Sequence, residues 1–203
     1  MKRISFKDSG GLHLTQAVLS GRKTMTRRVA YTGKIENINT GFFTEGKNKD
    51  RLALCESNFV VAKSQYGNGD VVAIQQAYKE ALKKYQWEEE YFEEVYEKSA
   101  GWTNKMFVKA ELMPHHIRIT DVRVERLQDI SDEDCLREGV IEDDVPFVED
   151  NFHIIPTRYI KHSRGNYWVT PREAFAALID KVSGRGTWNS NPLVWVYSFE
   201  LVD

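Results

Sequence analysis

Residues 192–202 constrain the fold more than any other segment, because they read as a strand that is apolar on both faces. Side chains alternate between the two faces of a strand, and one face here carries only bulky apolar groups: Leu193, Trp195, Tyr197, Phe199 and Leu201. The opposite face begins with two valines and becomes polar only at Ser198 and Glu200. We therefore expect a largely buried strand.

Several segments carry helix start and stop signals. The clearest begins at Thr170, where Pro171 suits the first helical position and Glu173 can complete a capping box, and ends at Gly184. Similar signals predict helices over residues 12–20, before Gly21, and 132–138, before Gly139. Residues 79–99 predict one or two further helices.

The remaining segments predict strands among these short helices. We expect strands over residues 51–62, 70–77 and 117–127, and a loop or irregular hairpin over residues 32–50. Strands and helices do not alternate regularly, so the fold class is α+β, with an antiparallel or mixed curved sheet. With 203 residues, 41% of them hydrophobic, the chain has material for one core and one domain.

Composition excludes several classes of protein. A net charge of -2 is unlike a uniformly basic nucleic-acid coat. Cys55 and Cys135 show no CxxC spacing. The adjacent His115 and His116 would point to opposite faces of an extended segment and the other three histidines are scattered, so we expect no metal or other cofactor. No apolar run is long enough to span a bilayer and no leader is evident, which predicts a cytoplasmic protein without a membrane partner.

Charge is distributed unevenly, and this directs attention to one segment. Residues 1–34 hold eight basic residues and one acidic residue, a local balance of +7, whereas residues 125–150 have a balance of -9. Residues 21–28 read Gly-Arg-Lys-Thr-Met-Thr-Arg-Arg, with four cations directly after a predicted helix end. This segment is suited to an anion, or it is a solvated charged turn.

An ordered set of motifs resembles the ASCH-domain proteins of the PUA-like superfamily, especially the larger phage-type members. The motifs are residues 21–28, 69–70, 119–131, 138–139, 188–189 and 191–192. The resemblance covers most of the chain and implies a single domain over residues 1–203, with a helical insertion at about residues 79–101. It also implies a curved or closed mixed β-barrel with short flanking helices and a cleft for RNA or a nucleoside.

One enzyme branch of that superfamily, the small N(4)-acetylcytidine amidohydrolases, has a Lys-Thr-Glu catalytic set. The resemblance matches that set to Lys23, Thr26 and Glu138. A threonine hydroxyl needs a neighbouring base, and a lysine serves as one only when its pKa is lowered. Glu138 lies at a predicted helix end that disfavours a carboxylate, which makes it either a functional group or one half of a structural ion pair with Arg22 or Lys23.

The chain departs from the family at one place that bears on the cleft. Many members have an arginine and a glutamate in the strand after the Gly-Asp motif, whereas this chain has Gln75 and Gln76. Two charges are therefore missing from the implied cleft.

Other residues are candidates for contact with a nucleic acid or nucleoside. They are the cations Arg22, Arg27 and Arg28, the loop residue Trp188, which could stack on a base or belong to the core, and Asn189 and Asn191, which could read a base edge or brace the turn.

Two functions remain open from the sequence. The first is binding of RNA or a modified nucleotide or nucleoside in a basic cleft. The second is an amidohydrolase that removes the acyl group of an N(4)-acylated cytidine, with Thr26 as nucleophile, Lys23 as base and Glu138 either orienting the lysine or handling a later proton transfer.

Overall fold

The computed structural model describes residues 1–30, 43–45, 51–54, 60–81, 97–143, 147–149, 153–155, 158–160 and 167–202. Its strands are β1 (Lys2–Ile4), β2 (Met25–Val29), β3 (Phe43–Glu45), β4 (Arg51–Leu54), β5 (Val60–Lys63), β6 (Val71–Ile74), β7 (His116–Arg126), β8 (Ile141–Asp143), β9 (Phe147–Glu149), β10 (His153–Ile155), β11 (Arg158–Ile160), β12 (Tyr167–Trp168) and β13 (Leu193–Leu201). Its α-helices are α1 (Leu14–Leu19), α2 (Tyr78–Ala81), α3 (Asp132–Arg137), α4 (Pro171–Ser183) and α5 (Thr187–Ser190). Short 3-10 helices cover Lys105–Phe107, Ala110–Leu112 and Leu127–Asp129.

The fold is α+β and is organised around a five-stranded mixed sheet with the order β1-β6-β7-β13-β2. β1 pairs with β6 in parallel, and the other neighbours are antiparallel. Three smaller sheets have the orders β3-β4-β5, β12-β11-β8 and β10-β9. β13 lies between β7 and β2, and its residues from Val194 to Phe199 are buried on both faces, which confirms the predicted buried strand.

The two edge strands of the large sheet are linked by a side chain. In the described part of the chain no backbone pairing joins β1 to β2, so backbone hydrogen bonds do not close the sheet. Arg28 of β2 nevertheless donates from Nη2 to the carbonyl of Ser5, directly after β1, over 2.8 Å. Inside the sheet, the rings of Tyr66 and Tyr197 meet edge to face with centroids 5.2 Å apart. The sheet therefore curves enough to bring its two edges within reach of one side chain.

The predicted helix signals correspond to observed caps. Thr170 and Glu173 form a complete capping box at the start of α4, and Ser131 accepts from the backbone of Asp134 at the start of α3. Gly139 ends α3 with a φ of 102°, a left-handed conformation that favours glycine. The helix predicted over residues 12–20 corresponds to α1.

Other predictions are changed or lie outside the described residues. β3 lies inside residues 32–50, which were predicted as a loop or an irregular hairpin, and it pairs antiparallel with β4; the rest of residues 32–50 lies outside the described part. The single strand predicted over residues 51–62 is wrong, because β4 and β5 are two strands that pair antiparallel with each other, and residues 55–59 between them are not described. α2 covers the start of the predicted helical insertion, of which residues 82–96 are not described. Among the described residues, no helix is both long and apolar enough to cross a bilayer.

Candidate functional site

A cavity of about 1090 Å³ lies beside β2. Its wall is built from residues that follow β1, from α1, from β2, from the segment after β6, from the 3-10 helix at Lys105 and from α4. Lys23, Thr26 and Glu138 all contribute to this wall. The structure thus brings Lys23 and Thr26 together with Glu138, which lies more than a hundred positions away in sequence.

Lys23 is held in the wall by the turn that ends α1. Gly21 turns the chain with a φ of 74°, and the backbone amide of Lys23 donates to the carbonyl of Ala17 over 2.9 Å. Its side chain is 2% exposed, and Nζ donates three hydrogen bonds of 2.7 Å, to the carbonyls of Met25 and Glu138 and to Glu138 Oε2. An ammonium has three protons, so every one has an acceptor.

Burial lowers the pKa of Lys23, and the positive charges of Arg28 and Arg27 add to that effect. The attraction of Glu138 opposes the shift but does not cancel it. Desolvation disfavours the charged form of a lysine. A lysine in this position can lose a proton at a lower pH than an exposed one.

Glu138 caps the end of α3, the place where the helix dipole disfavours a carboxylate. The side chain is 5% exposed, and its two oxygens accept from different cations. Oε2 accepts from Lys23, and Oε1 accepts from Arg27 Nη1 over 3.2 Å. Of the two ion-pair partners considered from sequence, Lys23 is the observed one.

Thr26 lies on β2 opposite Tyr197 of β13 and is 7% exposed. No hydrogen bond formed among the described residues uses its hydroxyl, and the residue lines the cavity. The side chain is therefore buried from bulk solvent while its hydroxyl stays free for a molecule in the cavity.

Arg27 does not serve as an open phosphate contact. It borders the cavity, but its guanidinium is buried. Nε and Nη2 donate to Glu125, Nη2 also donates to Asp134, and Nη1 donates to Glu138 and to the sulfur of Met25. A guanidinium has five N–H groups, and Arg27 donates five hydrogen bonds to these partners, so it has no N–H group left for a ligand. From the sequence we expected Arg27 to contact nucleic acid, whereas in the structure it lies at the centre of an internal ion cluster.

The ion cluster consists of Lys23, Arg27, Arg123, Glu125, Asp134 and Glu138. Burial on its own would lower the pKa of Arg27, but Glu138 and Glu125 outweigh burial and the pKa of Arg27 is raised. Arg123 shares two of the acids, at 2.7 Å from Asp134 and 3.2 Å from Glu125. The cluster fixes Glu138 against Lys23, because Arg27 holds the second carboxylate oxygen.

Arg28, the next residue, is placed differently. It lines the cavity, and no carboxylate within the described ranges forms an ion pair with it. Its Nη2 is used by the carbonyl of Ser5, while its buried Nε has no hydrogen-bond partner. Arg28 therefore brings a charge to the cavity wall that no described carboxylate pairs with, while its Nε lies buried without a partner among the described residues.

The two glutamines that depart from the family pattern have different surroundings. Gln75 is 4% exposed and donates from Nε2 to the carbonyl of Lys105 over 3.0 Å, which holds part of the cavity wall. Gln76 lines the cavity, and its buried Oε1 has no hydrogen-bond partner. The sequence identified both positions, and the structure shows that the Gln75 amide is hydrogen-bonded whereas the Gln76 amide oxygen has no partner among the described residues.

Trp188, Asn189 and Asn191 lie apart from the cavity wall. Trp188 sits in α5, where it was expected in a loop, and its ring packs edge to face on Phe175 with centroids 6.1 Å apart. Its other neighbour is Arg172, whose guanidinium carbon lies 5.7 Å from the ring. Of the two readings considered for Trp188, the structure supports packing against the core.

Asn191 braces the turn after α5. Its backbone is left-handed, with a φ of 42°, and its side chain accepts from the backbone amide of Gln128 over 2.8 Å. Asn189 is exposed on the same short helix. Arg22 is exposed as well, lies outside the cavity wall and donates to the carbonyl of Gly139 over 3.2 Å.

One group of polar residues at the cavity, formed by Asp8, Thr15 and Lys105, was not predicted from the sequence. Asp8 accepts from both the backbone and the hydroxyl of Thr15, and Lys105 reaches the same carboxylate over 2.6 Å. All three residues line the cavity. No local motif marks them, because Lys105 comes from a segment about a hundred positions away from the other two.

Two other properties bear on the chemistry of this region. The thiol of Cys135 is buried, and burial raises its pKa to about 12, which makes it inert as a nucleophile. Within the described ranges, no group of three or more His, Cys, Asp and Glu side chains is arranged to hold a metal ion.

Comparison with known proteins returns no relative: no family model, curated protein or solved structure matches this chain.

Proposed function

We propose that the cavity beside β2 binds a nucleoside or nucleotide with a modified base, and that the chain is an ASCH-type protein with a PUA-like curved sheet. The observation that carries this proposal is the meeting of Lys23, Thr26 and Glu138 in one cavity wall, with Lys23 and Glu138 separated by 115 residues in sequence and 2.7 Å in space. The link from Arg28 to Ser5 across the sheet edges supports the curved sheet.

The size of the cavity favours a single nucleoside or nucleotide over a strand of nucleic acid. A volume of about 1090 Å³ lies just above the range of roughly 300–1,000 Å³ that is usual for small-molecule sites. The Thr26 hydroxyl, which no hydrogen bond between described residues uses, and the charge of Arg28 are available to the polar groups of such a ligand.

The ion pairs of the cations in residues 22–28 also favour a single nucleoside or nucleotide over a strand of nucleic acid. Lys23 and Arg27 are paired with carboxylates, so neither could meet a phosphate without breaking an ion pair between described side chains. Strong binding of a polynucleotide needs several phosphate contacts. The bound nucleoside could be free or exposed at one position of an RNA.

Isothermal titration calorimetry tests this proposal. Cytidine, N(4)-acetylcytidine and single-stranded RNA with and without one N(4)-acetylcytidine are titrated into the protein. We expect the nucleosides to bind, with an affinity that falls at least about tenfold in Arg28→Met, because a charged donor contributes roughly 1.5–3 kcal/mol. Arg118→Met is the matched control, since Arg118 is exposed, paired with Glu200 and outside the wall.

The outcomes of this titration separate the two sources of the ligand. If the free nucleoside binds as tightly as the modified RNA, the ligand is the free compound; if only the modified RNA binds, the base is read in an RNA. No heat with any of these compounds, from protein with native circular dichroism, contradicts the proposal.

A second candidate function, hydrolysis of an N(4)-acylated cytidine, is favoured by two features of the same cavity wall: the lowered pKa of Lys23 and the free hydroxyl of Thr26. Lys23 Nζ first passes a proton to Glu138 Oε2 across their 2.7 Å contact. The neutral amine then takes the proton of the Thr26 hydroxyl while Oγ1 attacks the acyl carbon. As the carbon–nitrogen bond breaks, the protonated Lys23 returns that proton to the departing amine of cytidine.

A water molecule completes the reaction. It attacks the acyl group on Thr26 and gives a proton to Lys23, which returns it to Thr26 Oγ1 as the ester bond breaks. The products are cytidine and the carboxylic acid, and Glu138 hands its proton back to Lys23. Glu138 therefore acts as the reservoir that lets a fully bonded lysine become a base.

Acetate release from N(4)-acetylcytidine, followed by mass spectrometry, tests this second candidate. We expect Thr26→Val to abolish turnover because it removes the nucleophile and keeps the branched shape. Thr26→Ser retains a hydroxyl and should retain part of the rate. Equal rates in Thr26→Val and the parent, or no turnover in the parent, would exclude the mechanism.

A further inference from the structure

A pair of oppositely charged side chains, Asp8 and Lys105, lies in the cavity wall and is separate from the ion cluster. Lys105 Nζ donates to Asp8 Oδ2 over 2.6 Å and to the carbonyl of Phe6. Both charged residues line the cavity, and the side chains of Lys105 and Asp8 are 23% and 38% exposed. A molecule in the cavity can therefore reach this pair, in contrast to the buried contact between Lys23 and Glu138.

The carboxylate of Asp8 is held in position by the start of α1. Its Oδ1 accepts from the backbone amide of Thr15 over 2.9 Å, and its Oδ2 accepts from the Thr15 hydroxyl over 2.7 Å. Thr15 is itself buried. Polar groups that are held before a ligand arrives discriminate well, because little order is lost on binding.

The two side chains keep one acceptor and one donor for a ligand. A carboxylate oxygen accepts about two hydrogen bonds, and Asp8 Oδ1 receives one within the described ranges. An ammonium has three protons, and Lys105 uses two of them among the described residues. The charges of the pair cancel, so it suits neutral hydroxyl groups better than a phosphate, which the carboxylate would repel.

Phe6 connects this pair to the residues on which the proposed function rests. Its carbonyl accepts from Lys105, and the centroid of its ring lies 5.9 Å from Lys23 Nζ. A single residue therefore spans the distance between the pair and Lys23. A molecule the size of a nucleoside can contact β2 with its base and the pair with its sugar.

We propose that Asp8 and Lys105 bind the 2′- and 3′-hydroxyls of the sugar, and that the ligand is a ribonucleoside in which both hydroxyls are free. One hydroxyl donates to Asp8 Oδ1, and its neighbour accepts from Lys105 Nζ. Carboxylates accept from ribose hydroxyls in the same way in dinucleotide-binding domains. This inference rests on the proposed binding of a nucleoside. It selects the free compound as the ligand, because the 3′-oxygen of an internal nucleotide of RNA is esterified.

Calorimetric titration of the whole chain with four nucleosides tests this assignment. They are cytidine, 2′-deoxycytidine, 3′-deoxycytidine and 2′,3′-dideoxycytidine, which share a base and differ only in the two hydroxyls. The same four sugars carrying N(4)-acetylcytosine form a second series. We expect the ribose form to bind at least about tenfold more tightly than the dideoxy form, because the dideoxy sugar leaves both polar groups without a partner. Each single deletion should weaken binding by a smaller factor.

Two variants connect the preference for ribose to the pair. Asp8→Ala removes the acceptor and should bring the preference close to one. Lys105→Met removes the donor, keeps the bonds between Asp8 and Thr15, and should reduce the preference in part. Glu80→Ala is the matched control, since Glu80 is an exposed acid that also lines the cavity, and it should leave the preference unchanged.

The possible failures are distinguishable. If no nucleoside of either series and no modified RNA binds to protein with native circular dichroism, the proposed function fails and this inference fails with it. If nucleosides bind but the ribose and dideoxy forms have equal affinity, or if Asp8→Ala or Lys105→Met keeps the parent's preference, the inference alone is overturned. Binding confined to an internal N(4)-acetylcytidine of an RNA would also overturn it and leave the proposed function standing.

Discussion

The cavity wall at β2 and the turn around Trp188 both carry polar side chains, but among the described residues the polar groups are bonded at the turn and partly unbonded in the wall. At the turn, the backbone amide of Trp188 donates to Asp180, and the side chain of Asn191 accepts from Gln128. In the cavity wall, polar atoms of Thr26, Arg28 and Gln76 remain without partners among the described residues. Residue composition does not separate these two regions. The cavity wall differs from the turn because some of its polar groups have no hydrogen-bond partner within the described ranges.

The same contrast separates two adjacent residues of β2. Arg27 directs its guanidinium to Glu125, Asp134 and Glu138, whereas Arg28 forms no ion pair within the described part of the chain. Successive side chains of a strand point to opposite faces. One arginine therefore holds the ion cluster together while the next one faces the cavity.

The largest expected effect comes from breaking the ion cluster. Arg27→Met should lower the free energy of unfolding by about 3–5 kcal/mol, because it leaves three carboxylates without their shared cation. Urea denaturation measures the change. Arg118→Met breaks the exposed pair with Glu200 and should cost less than about 1 kcal/mol. Equal losses in the two variants would mean that the cluster is not the stabilising unit described above.

A smaller loss of stability is expected at the turn. Trp188→Ala should cost about 2 kcal/mol, because the ring is only partly buried against Phe175 and the stack with Arg172 is also lost. The affinity for a nucleoside should stay within about twofold of the parent value. If Trp188→Ala keeps the stability of the parent but no longer binds the nucleoside, Trp188 contacts the ligand, as the sequence suggested.

These two regions also show what sequence could predict. Capping residues and alternation are local signals, so Thr170 with Glu173, Ser131 and the strand after Asn191 were placed correctly. The motif match identified Lys23, Thr26 and Glu138 as a set, and they line one cavity.

Other features depend on contacts between distant segments. β1 is only three residues long, and it forms because β6 offers a parallel edge. The difference between Arg27 and Arg28 follows from acids about one hundred positions away. The role of Trp188 is decided by α4, which no motif around the tryptophan encodes.

Lys23 supplies a prediction about pH. Its pKa in the folded protein lies below the ordinary value of 10.5, so between these two values the unfolded chain binds more protons than the folded one. The free energy of unfolding should therefore gain a contribution that rises with pH across that window, by up to about 1.4 kcal/mol per pH unit. Denaturation at several alkaline pH values should show a steeper rise for the parent than for Lys23→Met. Parallel curves for the two proteins would argue against the lowered pKa.

The smallest effect is expected at Asn189. This residue is exposed on α5, and no hydrogen bond within the described ranges uses its side chain. Asn189→Ala should change the free energy of unfolding by less than about 0.5 kcal/mol and leave nucleoside binding unchanged. A clear loss of affinity in this variant would place the ligand at the turn.

One measurement tests most directly whether the ligand lies beside β2 or at the turn. A nucleoside that binds in calorimetry is titrated into isotopically labelled protein, and assigned amide and side-chain signals are followed by nuclear magnetic resonance. We expect the largest shifts at the amides of Thr26 and Arg28 and at the side-chain amide of Gln76, with the indole signal of Trp188 nearly unchanged. Shifts centred on the Trp188 indole and Asn191, with Thr26, Arg28 and Gln76 unaffected, would contradict the account.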